Sequence, residues 1–137
     1  MRSFEVLDHT ADVLVRARGE TLADLLTVCA EAMLSVLVEE GEVRETMSAD
    51  ISVEADDADE LVHAWLRELL FRFGAEGAVF ARFDLHEVGP TRLRATCHGE
   101  PFDPARHRGT EIKAVTYHEF RVEQSGSGWV ADVLFDI

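Results

Sequence analysis

Two carboxylates and an imidazole lie close together near the start of the chain, directly before an apolar run. Asp8, His9 and Asp12 fall within residues 8–12, and the apolar residues 13–15 follow. Carboxylate oxygens are the preferred ligands of hard cations such as magnesium, calcium and manganese. For Asp8 a turn is the alternative, because an aspartate can accept hydrogen bonds from its own downstream backbone. Asp12 is harder to explain in this way, since a carboxylate at the end of a buried strand costs desolvation unless donors or a cation meet it.

A second group of carboxylates lies at the other end of the sequence. The side chain of Asp136 and the α-carboxylate of Ile137 are adjacent, on a stretch whose alternate residues are apolar. If the last strand pairs beside the first, these groups meet Asp12. A frayed end with a solvated Asp136 is the alternative. We predict a metal site from Asp12, Asp136 and Ile137, although a full cation shell of calcium needs about six to eight oxygens.

Lys113 is the single lysine of a chain that has 13 lysine and arginine residues in all. It lies between apolar neighbours, Ile112 and Val115. An ammonium is a compact charge that can meet a carboxylate or phosphate from any direction, so its retention here indicates position-specific use. Chance in an arginine-rich composition is the competing interpretation. His107 and His118 are candidates for acid-base groups, but isolated histidines are more often surface or packing residues, and we assign them no role.

Two periodicities predict the elements that position these residues. Helical spacing of apolar residues predicts one helix from Thr21, as N-cap, to Leu37. It predicts a second helix whose negatively charged first turn is Asp56-Asp57-Ala58-Asp59 and which ends at Gly74. Alternating apolar and polar residues predict strands near residues 3–7, 13–17, 51–55, 79–86, 92–98, 115–120 and 129–137. We therefore expect a single α+β domain over residues 1–137, with a mostly antiparallel sheet of about six or seven strands packed with two main helices.

Composition narrows the possible partners. The formal net charge of −14 repels phosphate backbones, so we expect no direct nucleic-acid binding. A cation or a basic protein is the favoured binding partner. The alternative is that the acidity serves only solubility. No apolar stretch approaches the ~20 residues of a membrane span and no signal peptide is visible, so we expect no membrane contact and a cytoplasmic location. Cys29 and Cys97 are expected to be buried free thiols. The common phosphate-loop, nucleophile-elbow and zinc-helix motifs of enzymes are absent from the sequence.

Three segments together resemble the signatures of the archease family. They are residues 7–13 (LDHTADV), residues 109–118 (GTEIKAVTYH) and the final Asp136-Ile137. The resemblance spans essentially the entire chain, and it includes Gly99-Glu100 followed by Asp103 and His107.

The resemblance implies a small cytoplasmic accessory protein that is not itself an enzyme. Such a protein assists a tRNA-splicing RNA ligase of the RtcB type, promotes guanylylation of the ligase by GTP and allows repeated turnover; GTP is reached only through the partner. The resemblance also implies a divalent metal, calcium or, in the partner complex, magnesium or manganese, at Asp12, Asp136 and Ile137, and a need for Lys113 in activation. Two alternatives stay open: a stand-alone metal-dependent hydrolase or phosphotransferase, and a chaperone or modulator of RNA-processing enzymes.

Overall fold

The computed structural model describes residues 2–7 and 12–137. The elements of this part of the chain are β1 Ser3–Leu7, β2 Asp12–Gly19, α1 Leu22–Leu37, β3 Met47–Glu54, α2 Ala58–Glu76, β4 Ala78–Gly89, β5 Arg92–Pro101, β6 Ala114–Ser125 and β7 Gly128–Asp136. The α+β class, the two main helices and the strand number are as predicted. The strands divide between two antiparallel sheets, one ordered β1-β2-β7-β6 and the other β3-β5-β4.

Both helices begin at side-chain caps that the sequence makes recognisable. The hydroxyl of Thr21 accepts a hydrogen bond from the N–H of Asp24 at 3.0 Å, as predicted for α1. The carboxylate of Asp57 accepts from the N–H of Glu60 at 2.8 Å and caps α2. Each cap satisfies an N–H group that has no partner within its helix.

The predicted end of α2 at Gly74 is wrong. The helix continues to Glu76, and Gly77 terminates it in the left-handed conformation, with φ of 68°. The N–H of Gly77 donates to the carbonyl of Phe73 at 2.9 Å. Only glycine enters this backbone region without a steric penalty, so the second glycine rather than the first ends the helix.

The two helices share one core with the inner faces of both sheets. Trp65 of α2 is fully buried, and its indole N–H donates to the carbonyl of Leu26 in α1 at 2.9 Å. Cys29 and Cys97 are buried free thiols, as predicted. Burial raises the pKa of each thiol to about 12, so both stay protonated at neutral pH. Neither helix in the described part of the chain combines the length and apolar composition of a membrane span.

Candidate functional site

Asp12 and Asp136 lie opposite each other at one end of the four-stranded sheet. Asp12 is the first residue of β2 and Asp136 is the last residue of β7, and the antiparallel register pairs the two directly. Directly opposed residues place their side chains on the same face, with Cβ atoms about 4.5–5.5 Å apart. The two carboxylates that the sequence singled out therefore meet, because the last strand pairs with the strand that contains Asp12.

Lys113 joins this end of the sheet from the other side of β7. Its backbone N–H donates to the carbonyl of Asp136 at 2.7 Å, and the next residue, Ala114, pairs with Asp136 in the β6–β7 register. The side chain of Lys113 is exposed and forms no ion pair within the part of the chain that the structure describes. We call Asp12, Lys113, Asp136 and Ile137 the acidic tip.

Ile137 follows Asp136 directly, and its half-buried side chain packs against the core. Asp8 and His9 lie outside the described residues. Within residues 2–7 and 12–137, no three His, Cys, Asp or Glu side chains converge in a way that would hold a metal ion. At the acidic tip, the described side chains that could bind a cation are the carboxylates of Asp12 and Asp136. They suit a hard cation in kind, and metal binding by Asp12, Asp136 and Ile137 stays a prediction.

A buried ionic network anchors the loop that leads to Lys113. Glu100, at the end of β5, is 4% exposed and accepts a hydrogen bond from the N–H of Arg44 at 2.7 Å. Its carboxylate also forms an ion pair with Arg106 and lies 3.1 Å from Nε2 of His107. These partners, Arg106 first, lower the pKa of Glu100 to about 2.

His107 is a structural residue of this network. Its ring is 1% exposed, and Nδ1 accepts from the N–H of Asp103 at 2.9 Å. Nε2 lies 3.0 Å from the carbonyl oxygen of Glu42 and also faces Glu100, so it is the ring nitrogen that donates. The sequence left His107 without a role. Its long-range partner Glu42 could not be read from local spacing, although Glu100, Arg106 and His107 lie within eight residues.

His63 and Tyr117 form a contact that the sequence did not indicate. The pairing of β6 with β7 shifts between Thr116 and Arg121, and Tyr117 lies within this irregular stretch. The ring of Tyr117 stacks on that of His63 in α2, with centroids 3.7 Å apart, and its hydroxyl donates to Glu60 at 2.9 Å. His63 is 1% exposed, and burial lowers its pKa. The stack therefore ties β6 to α2 four residues after Lys113 of the tip, whereas His118 is exposed.

Comparison with known proteins identifies the family to which the sequence is similar. Residues 4–137 match the model of the Archease protein family (MTH1598/TM1083). The Protein archease of Methanopyrus kandleri is 36% identical, over 98% of this chain and 99% of its own length. The Protein archease of Pyrococcus furiosus is also 36% identical, over the full length of both chains, 100% of each.

Solved structures with a similar fold support the same relationship. The solution structure of Methanobacterium thermoautotrophicum protein 1598 has a TM-score of 0.77 at 30% identity and covers 98% of both chains. The crystal structure of an archease, possible chaperone, from Thermotoga maritima has a TM-score of 0.66, over 96% of this chain and 94% of that one; at 23% identity it supports the fold alone. The family model and the full-length relatives together show that this chain belongs to the archease family.

Proposed function

We propose that this chain is a non-catalytic activator of an RtcB-type RNA ligase, which promotes guanylylation of the ligase by GTP and allows repeated turnover. Membership of the archease family supports this function through the roles that the resemblance implies. The observation that carries the proposal is the direct pairing of Asp12 with Asp136, with Lys113 hydrogen-bonded through its backbone to Asp136. Two carboxylates and one ammonium, none of which forms an ion pair with another residue of 2–7 or 12–137, are thus gathered at a single end of the sheet.

In this proposal the tip residues divide the chemistry between them. Asp12 and Asp136, with the α-carboxylate of Ile137, hold a divalent cation: calcium in the protein alone, or magnesium or manganese in the complex. When bound, such an ion neutralises phosphate charge. The ammonium of Lys113 offsets negative charge that develops during nucleotidyl transfer. GTP and RNA are contacted by the ligase, since the net charge of −14 disfavours polyanions on this chain.

The experiment measures guanylylation of a purified RtcB-type ligase with labelled GTP and divalent metal, with and without this protein. We expect the wild-type protein to raise the rate, and Asp12→Asn, Asp136→Asn and Lys113→Gln to lose most of that increase. Asp50→Asn is the matched control, because it removes an exposed carboxylate from the other sheet, where the hydroxyl of Thr96 donates to it at 2.9 Å. Equal rates with and without the wild-type protein would rule out the proposed function.

A further inference from the structure

A groove of about 380 Å³ lies beside the acidic tip, between α2 and the segment that enters β6. The helix contributes residues at helical spacing, Arg67, Phe71 and Gly74. Residues 111–115 form the other wall and include Lys113. Lys113 therefore belongs both to the tip and to this groove.

The charges in the groove are unusual for this chain. Arg67 and Lys113 are both exposed, and neither forms an ion pair with a carboxylate of residues 2–7 or 12–137. Most other arginines do form such pairs, as expected where 27 acidic residues surround 13 basic ones. Glu111 also lines the groove and pairs with neither cation. The groove thus brings together two of the four basic residues that form no ion pair with a carboxylate of residues 2–7 or 12–137; the other two are Arg44 and Arg108.

A larger cavity elsewhere provides the contrast. It has a volume of about 570 Å³ and includes Arg16 and Arg121 among its lining residues. Both guanidinium groups are held by Asp132, at 2.7 Å and 3.1 Å. Size alone therefore does not identify a binding site here, because the cations of the larger cavity are already used within the fold.

The groove also offers apolar surface. Phe71 is 61% exposed, the largest exposed fraction among the large apolar side chains of the described residues. The buried residues Ile112 and Val115, which are 4% and 7% exposed, also line the groove. A β-carbon added at Gly74 would meet no atom within 4 Å, so the groove is open at this position. An aromatic side chain in a concave surface beside a cation is typical of an anchor in a protein interface.

We infer that this groove docks an acidic peptide segment of the ligase, with a carboxylate on Arg67 and an apolar side chain against Phe71. Lys113 adds to the positive field and remains available at the tip. A peptide fits better than RNA, because it supplies an apolar group together with one or two charges, whereas a polyphosphate would meet the acidic surface around two cations. The inference rests on the proposed function and deepens it, since docking here would seat the partner over the acidic tip.

Variants on α2 test the groove without changing the tip. Gly74→Trp fills the open space, Arg67→Glu reverses a charge, and Phe71→Ser removes the anchor. Gly74→Ala is the matched control, since it adds only a methyl group in open space. We expect the first three to raise the Kd for the purified ligase about tenfold or more, as measured by calorimetry, with Gly74→Ala unchanged. Thermal unfolding of each variant establishes that it is folded.

The dependence of guanylylation rate on protein concentration separates docking from activation. Groove variants should need more protein for half-maximal activation and reach the wild-type rate at saturation, whereas Asp12→Asn should keep the wild-type Kd and lower the maximal rate. Wild-type Kd values for all three groove variants would overturn the inference while the proposed function stands. Absence of ligase binding by the wild-type protein would overturn both. If the wild-type protein binds a fluorescent RNA oligonucleotide and Arg67→Glu abolishes that binding, the groove is a site for RNA. That result would overturn the inference that it docks a peptide.

Discussion

Glu100 and the pair Asp12–Asp136 show two opposite ways in which this protein uses carboxylates. Glu100 is 4% exposed and is met by a backbone N–H, a guanidinium and an imidazole, from Arg44, Arg106 and His107. Asp12 and Asp136 face each other, and no donor from the described residues hydrogen-bonds either side chain. A carboxylate whose partners all come from the fold is structural, whereas two opposed carboxylates without partners favour an external cation.

The Glu100 network and the strand pairing together hold the acidic tip in place. The network around Glu100 fixes the loop that precedes Lys113, and the strand register fixes Asp12 against Asp136. The groups proposed to act on a partner therefore lie next to well-connected parts of the fold, while no ion pair within the described ranges uses their own charges.

The largest expected loss of stability follows from Glu100→Gln. The folded protein lowers the pKa of Glu100 from 4.5 to about 2, so the ionised carboxylate stabilises the fold above about pH 4.5, and this contribution is lost as the pH falls towards 2. We expect the variant to unfold at least several degrees below wild type at neutral pH, with the difference shrinking as the pH falls through this window. Thermal unfolding across a pH series measures both effects.

Glu54→Gln provides the control for that comparison, because the side chain of Glu54 is 75% exposed and forms a surface ion pair with Arg92 at 3.3 Å. It should change little at any pH. A stability difference for Glu100→Gln that did not vary between neutral and acid pH would show that the charge of Glu100 is not what stabilises the network.

The next largest effect is expected on metal affinity at the tip. Asp12→Asn and Asp136→Asn each remove one negative charge next to the proposed cation, and we expect each to weaken calcium or manganese binding roughly ten- to a hundredfold. Calorimetric titration of the purified protein measures this change, with Asp50→Asn as the control that keeps wild-type affinity.

Adding two glycines after Ile137 tests the remaining ligand, since the α-carboxylate would move away from Asp136. Unchanged affinity in that variant would remove Ile137 from the site. Wild-type affinity in both aspartate variants would remove the site altogether.

The effect of Asp12→Asn on the free energy of unfolding should be smaller, and its sign should depend on whether a divalent metal is present. Without a divalent ion, Asp12 and Asp136 repel each other, and we expect Asp12→Asn to stabilise the fold by about 0.2–1 kcal/mol. With saturating calcium the same variant should be less stable than wild type, because the ion stabilises only the folded protein that binds it. Urea unfolding in EDTA and in calcium measures the two cases. The same sign in both would contradict a cation between these carboxylates.

The smallest effect on stability is expected at Lys113. Its exposed ammonium forms no ion pair within the described part of the chain, so Lys113→Gln should change the free energy of unfolding by no more than about 0.5 kcal/mol. Arg106→Gln is the contrasting variant, because it removes the partner of Glu100 and should clearly destabilise. Urea unfolding compares them. A marked loss for Lys113→Gln would mean that this lysine supports the fold itself.

Much of the fold was predictable because its signals are local. The cap at Thr21, the apolar spacing of α1 and the alternation along β7 each depend on neighbours within a few residues. The end of α2 was mispredicted because Gly74 and Gly77 look alike in sequence, and only the backbone conformation of Gly77 distinguishes them. The division into two sheets depends on long-range strand pairing, which alternation does not encode.

By itself, the sequence singled out the residues of the tip, namely the carboxylates of Asp12 and Asp136 and the single lysine Lys113, and its net charge of −14 predicted no direct binding of RNA. The tertiary structure decided which of these groups meet and which other residues matter. The pairing of β2 with β7 brings residues 12 and 136 together, and the packing of α2 beside residues 111–115 makes the groove of Arg67 and Phe71. The physical reason is that residue type sets what a side chain can bind, whereas strand register and helix packing set which side chains are neighbours and which charges remain free.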